Sequence, residues 1–238
     1  ADPDWVGTWQ SPWNTNDYRP LVLVGFSTTF QKQTECLNTV AEALGQLPVR
    51  GLITVGKTIT PQSITAPENV VVRQAAPHSK LLPEVAVIIT HAGHGSVVKA
   101  LGHGVPLLCV PMGRDQNDIA ARVVYHGAGL RLSTSASADQ LAEATKTLLE
   151  DAAYRTAARR LGDAICQSAW NSSTIDELEQ LAGLNNRTRN VKITRKELVE
   201  AGRSQLFPLD GAGRFVGNVV ENSTDARNGQ KLRSEPVQ

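Results

Sequence analysis

The chain has no apolar run near the ~20 residues that a membrane-spanning helix needs. Its longest candidates, residues 21–24 and 85–89, have the length of buried strands. It has no excess of one charge either: 24 basic and 23 acidic residues leave a formal net charge of +1. That removes any global electrostatic case for nucleic acid or an anionic bilayer as partner. Residues 1–5 carry neither a basic n-region nor an apolar h-region, so they do not read as a signal peptide. Cysteine is scarce: Cys36, Cys109 and Cys166 are odd in number, far apart and form no Cys-x-x-Cys. This excludes a disulfide framework and fits buried thiols in a reducing, cytoplasmic setting, where the sequons at Asn171, Asn186 and Asn222 are incidental. No His-x-x-x-His spacing occurs, so no metal site is expected.

What is present is a repeating βα rhythm. With 238 residues, 41% of them hydrophobic, the chain can bury one substantial core. Residues 1–19 are polar with scattered tryptophans and read as a linker. Strands are predicted at 21–26, 49–55, 70–73, 85–90, 107–110 and 130–132. Helices are predicted through Cys36–Leu44 spacing closed by Gly45, at 78–82, at 96–101, through Ile119–Val124, and at 141–149 and 154–165. Short, unalternating apolar strands between helices imply an α/β fold: a Rossmann-like parallel sheet with helices on both faces. The rhythm stops near Gly183. Residues 1–182 carry 14 basic and 17 acidic residues, residues 183–238 carry 10 and 6, so the net charge moves from −3 to +4. Residues 20–182 are therefore expected to form the domain, and 183–238 a small basic, partly disordered appendage.

The chemistry concentrates where strand 85–90 gives way to a helix, in the run His91-Ala92-Gly93-His94-Gly95-Ser96. In parallel α/β sheets ligands bind beyond the carboxyl ends of strands. Gly93 and Gly95 present no Cβ, so backbone amides can approach an anion. Ser96 can cap the helix and offer a hydroxyl, the helix N-terminus favours negative charge, and His91 stands beside the same place. The sum is a pyrophosphate cradle without a Walker lysine or a metal cluster. Alone, the two glycines would mark only a tight turn. A second strand then ends in Pro111-Met112-Gly113-Arg114-Asp115-Gln116. A carboxylate beside a carboxamide suits vicinal hydroxyls, although Asp115 alone could simply cap the next helix. His94 can line the same cleft, whereas His103 and His126, beside Gly104 and Gly127, read as solvated helix ends.

Taken together, His-x-Gly-x-Gly-Ser, Ala-Leu-x-x-Gly-Val-Pro, a strand, Pro and Asp-Gln-x-x-x-Ala-x-x-Val resemble the donor-binding signature of family-1 GT-B glycosyltransferases. The nearest type is the bacterial macrolide and antibiotic enzymes, themselves similar to plant UDP-glycosyltransferases. The resemblance spans residues 20–166 and is dense over 75–132. It implies that His91 and the amides at Gly93, Gly95 and Ser96 hold the diphosphate, joined by the Ser27-Thr28 turn. It implies Asp115 and Gln116 on the donor sugar, and Ala76, Pro77, His78 and Lys99 near base and ribose. Two positions depart from the pattern. Ala75 stands where plant relatives stack a tryptophan on the base. Lys99 stands where many relatives hold the ribose with a glutamate, and a lysine there can either reach a phosphate or point to solvent.

Only the C-terminal, donor-binding half of the two-domain family fold is matched. The resemblance implies an inverting transfer of a sugar from a UDP- or TDP-sugar to a hydroxyl of a small lipophilic natural product. It implies no cofactor beyond the donor substrate. The catalytic base belongs to an acceptor-binding half, supplied by a longer chain or a separate partner. The alternatives are a free-standing donor subunit, a nucleotide-sugar binder without turnover, and a sugar-nucleotide epimerase.

Overall fold

The computed structural model describes residues 9–26 and 33–170. In chain order the elements are β1 (Leu21–Gly25), α1 (Thr34–Gly45), β2 (Arg50–Thr54), a 3-10 turn at Pro61–Ser63, β3 (Val70–Arg73), α2 (His78–Leu81), β4 (Val85–Thr90), α3 (His94–Gly102), β5 (Leu107–Cys109), α4 (Gln116–Tyr125), β6 (Gly129–Arg131), α5 (Ala138–Glu150) and α6 (Ala152–Trp170). The strands form one sheet in the order β3-β2-β1-β4-β5-β6, and every pairing is parallel. This is the expected doubly wound fold, and its strand order reverses between β1 and β4, with Gly25 opposite Thr90 at the carboxyl ends. The crevice at that reversal is the topological switch point.

Both faces of the sheet are buried, which is why its strands are apolar without alternation. Val22 and Val24 point into one cluster with α1 and α5. Leu21 and Leu23 point into the other, with α2, α3 and residues of α4 and α6. Period-two alternation thus sorts one strand's side chains between two cores. Helix α6 packs against α3 at Gly162: a Cβ there would lie 2.1 Å from the Leu101 carbonyl oxygen. Arg155 fastens α6 to the start of β4, donating to the carbonyls of Val85 and Ala86 at 3.2 and 2.6 Å.

Two tryptophans of the leading segment pack on the domain. Trp9 and Trp13 pack on the second core cluster, and the Arg50 guanidinium lies 5.6 Å over the Trp13 ring. Burial pushes the Cys36 thiol up to about 11 and the Cys109 thiol to about 12, so both are inert packing groups. Gly45 is the last helical residue of α1 rather than its stop, and Gln46 caps it. The Ser27-Thr28-Thr29 turn and the appendage at 183–238 lie outside the described residues. Among the described residues no helix is long and apolar enough to cross a membrane.

Candidate donor-binding site

Two adjoining turns at the carboxyl ends of β4 and β5 build the site. In the first, His91 is 9% exposed. Its ring meets Phe26 edge-on at 6.5 Å between centroids. Burial pushes its pKa below the ordinary imidazole value; a hydrogen bond to the Gly25 carbonyl and the charge of Asp115 oppose that, and Arg114 reinforces it. His91 is therefore a neutral imidazole near pH 7. Ala92 then turns the chain at φ 65°, in the left-handed region.

The two glycines of the turn differ in what they require. A Cβ on Gly93 would lie 2.5 Å from His91 Nε2, so this glycine makes room for the imidazole. A Cβ on Gly95 would meet nothing within 4 Å, and its backbone needs no positive φ. The fold gives no reason for glycine at 95, where it costs about 0.5–1 kcal/mol relative to alanine in a helix. Its open face looks out from the first turn of α3.

The helix begins at His94 with Gly93 as N-cap in an extended conformation (φ −64°, ψ 137°). This corrects the expectation that Ser96 caps it. Ser96 is the third helical residue, and its amide donates to the Gly93 carbonyl at 3.0 Å. The Ser96 amide expected to meet an anion is thus occupied within the turn, while Ser96 itself lines a cavity. His94, at the first helical position, is exposed.

That cavity, about 220 Å³, is lined by His78, Leu82, Ile88, Gly95, Ser96 and Lys99. It brings together residues that the sequence separates by up to twenty-one positions. Gly95, Ser96 and Lys99 share it because helical spacings of three and four stack on one face. His78 arrives from α2. The Thr54 hydroxyl donates to the Val24 carbonyl at 3.1 Å and lies 3.0 Å from His78 Nε2, so the proton between them belongs to the imidazole. Ala76 and Pro77 are buried, Ala76 within the second core cluster; from that loop only His78 lines the cavity.

The second turn carries the pair predicted for the sugar. Gly113 takes φ 147° and Arg114 φ 57°. Asp115 occupies the N-cap position of α4 but makes no side-chain cap hydrogen bond. Its exposed carboxylate faces outward from the turn without serving the helix. Gln116 is 3% exposed, and its Oε1 accepts the Met112 amide at 2.8 Å. That bond pins the loop that carries Asp115, a structural role that spacing alone did not reveal.

His103 caps α3 and donates from Nδ1 to the Lys99 carbonyl at 2.9 Å, with Nε2 buried and unpartnered, so it is not the solvated end expected. His126 is exposed, as expected. Among the described residues no three His, Cys, Asp or Glu side chains gather as a metal site.

Residues 38–181 match the family described as erythromycin biosynthesis protein CIII-like, C-terminal domain. The 4'-demethylrebeccamycin synthase of Lentzea aerocolonigenes is 30% identical over 167 residues, covering 70% of this chain and 38% of that protein. Of solved structures, CalG4, the calicheamicin glycosyltransferase, aligns with a TM-score of 0.65 at 28% identity, over 74% of this chain and 46% of the other. The glycosyltransferase VinC in complex with dTDP aligns with a TM-score of 0.58 at 25% identity, over 71% and 43%. The chain spans less than half the length of each of these relatives.

Proposed function

This chain belongs to the erythromycin biosynthesis protein CIII-like C-terminal domain family, the C-terminal domains of antibiotic GT-B glycosyltransferases, and from that membership we propose that it is the donor-binding half of an inverting glycosyltransferase using a UDP- or dTDP-sugar. The acceptor is a hydroxyl of a small lipophilic natural product. An acceptor-binding domain or subunit supplies the base that removes the hydroxyl proton. The acceptor oxygen attacks the sugar's anomeric carbon from the face opposite the diphosphate. The bond from that carbon to the diphosphate oxygen breaks, and its electron pair leaves with the diphosphate.

This half has to stabilise the departing charge. Fixed donors aimed at that charge cost no reorganisation during reaction, which makes such preorganised electrostatics effective. The donors proposed for it are the Gly95 amide in the first turn of α3 and the buried His91, and the Asp115 turn follows the neighbouring strand β5. The observation that carries the reading is Gly95: a glycine in open space, with no steric or conformational need for it, at a helix start where an anion would pass. VinC, at 25% identity, was solved in complex with dTDP, which supports a dTDP-type donor.

Calorimetric titration of the chain with UDP and with dTDP, with and without EDTA, tests the reading. Micromolar to millimolar binding that is insensitive to EDTA is expected. No binding of either nucleotide at millimolar concentration would refute the proposal, and binding abolished by EDTA would refute its metal-free form.

A further inference from the structure

The cavity beside α3 has a charge character that the proposed function does not use. Its polar lining is Lys99, Ser96, His78 and the backbone of Gly95, over an apolar floor of Leu82 and Ile88. No carboxylate lines it. Lys99 is half-buried on the cavity face of α3, one turn beyond Gly95. At 1.5 Å rise per residue, its Cα is about 6 Å along the helix from that of Gly95. A ribose is held well by acceptors for its two hydroxyl protons. An ammonium offers three donors and no acceptor, and the Gly95 amide offers only a proton. The Ser96 hydroxyl accepts as well as donates, and an imidazole protonated on Nε2 accepts at Nδ1, but the lining carries a lysine and no carboxylate, and that positive charge suits a phosphate better than a diol.

We propose that Lys99 is a binding residue for the nucleoside-proximal phosphate of the donor, so that this cavity recognises charge rather than ribose hydroxyls. The inference rests on the donor-binding reading and deepens it. Its consequence is that the nucleoside's 2'-hydroxyl contributes little. Uridine and 2'-deoxyuridine diphosphates should then bind alike, and a nucleoside monophosphate should keep a measurable share of the affinity.

The test is calorimetry of UDP, 2'-deoxy-UDP and UMP against the wild-type chain, Lys99→Met, Lys99→Arg and Lys99→Glu, at low and high salt, with circular dichroism as a check on folding. In the wild type the two diphosphates should agree within about threefold. Lys99→Met should weaken UDP and UMP together by about five- to twentyfold, the range of one partly solvated charge-assisted contact, and should flatten the salt dependence. Lys99→Arg should recover most of the loss and Lys99→Glu should deepen it. An unchanged affinity in a folded Lys99→Met protein would overturn the proposal. So would a tenfold preference of the wild type for UDP over its 2'-deoxy analogue. Failure of the wild type to bind any of the three, or dTDP, would instead remove the donor-binding reading beneath it.

Discussion

Gly95→Ala separates what the fold needs from what a ligand needs. The added methyl would meet nothing within 4 Å, and residue 95 has helical backbone without a positive φ. Alanine should therefore fold at least as well as glycine. The gain is at most about 1 kcal/mol, the full interior propensity difference, and less in the first turn. For a domain of this size that is a rise of about 2–4 °C or less in melting temperature. Binding should move the other way. The methyl would project from the first turn of α3 beside the cavity shared with Ser96 and Lys99, holding a phosphate oxygen away from the helix amides. Losing one charge-assisted hydrogen bond costs about 1.5–3 kcal/mol, which is about ten- to 150-fold in dissociation constant. Thermal unfolding and UDP titration on one preparation read both signs. A variant that binds UDP as tightly as the wild type would show that no anion approaches this helix start.

The remaining expectations concern charge, the second turn and the α6 brace. Because burial lowers the folded-state pKa of His91, its neutral form stabilises the fold fully above the unfolded value of ~6.5. That contribution is lost as pH falls from there through the lower folded pKa. His91→Gln should accordingly flatten the acid limb of chemical denaturation measured below pH 6.5; an unaltered limb would contradict a buried neutral imidazole. Asp115→Asn should leave the melting temperature unchanged, since its carboxylate caps nothing, while weakening the correct nucleotide-sugar and sparing free nucleotide. Gln116→Ala should weaken the nucleotide-sugar as well, but also destabilise by about 0.5–1.5 kcal/mol, because the half-buried Met112 amide loses its acceptor; a neutral effect on stability in urea melts would dismiss that latch. Gly162→Ala should lower stability by about 1–3 kcal/mol through overpacking against the Leu101 carbonyl, without changing the nucleotide affinity of the folded fraction.

Sequence pattern carried the fold where burial alone decides structure. Strands at 70–73 and 85–90 match to the residue, because each is a short apolar run with polar residues at its ends, the second buried along nearly its whole length. The site was legible for a related reason: a glycine-rich turn after a buried strand in a parallel sheet has one place to be. What pattern missed was set by tertiary geometry. Serine's strength as a cap pointed to Ser96, yet an extended Gly93 caps the helix three residues earlier and lies against His91. Trp9 and Trp13 looked like linker residues because their neighbours are polar, but the second core cluster has room for both. The inward placement of Gln116 depends on a four-residue loop closing on itself, and nothing in residue spacing encodes that closure. Lys99 lines a cavity that His78 and Leu82 also line, and that neighbourhood is not encoded in spacing along α3.

The two non-glycine residues with positive φ among the described residues are Ala92 and Arg114. Each costs of order 1–3 kcal/mol relative to a relaxed backbone. Both lie in the turns that follow neighbouring strands, β4 and β5, which pair from Ile88↔Leu107 to Thr90↔Cys109. Those strands are fully buried at that end and hold the chain direction into each turn. A glycine at 92 would adopt the same φ without strain, but it would give up a methyl that is wholly enclosed by the second core cluster and would let the turn sample other conformations. Alanine fixes one. The residue before it, His91, is thereby held against Gly93, and the residue after Arg114 is the carboxylate whose charge reaches that same imidazole. Strain in adjacent turns, backed by a rigid sheet, thus sets the distance between the diphosphate and sugar ends of the proposed donor site before any donor arrives, and that preorganisation is what charge stabilisation at a leaving group requires.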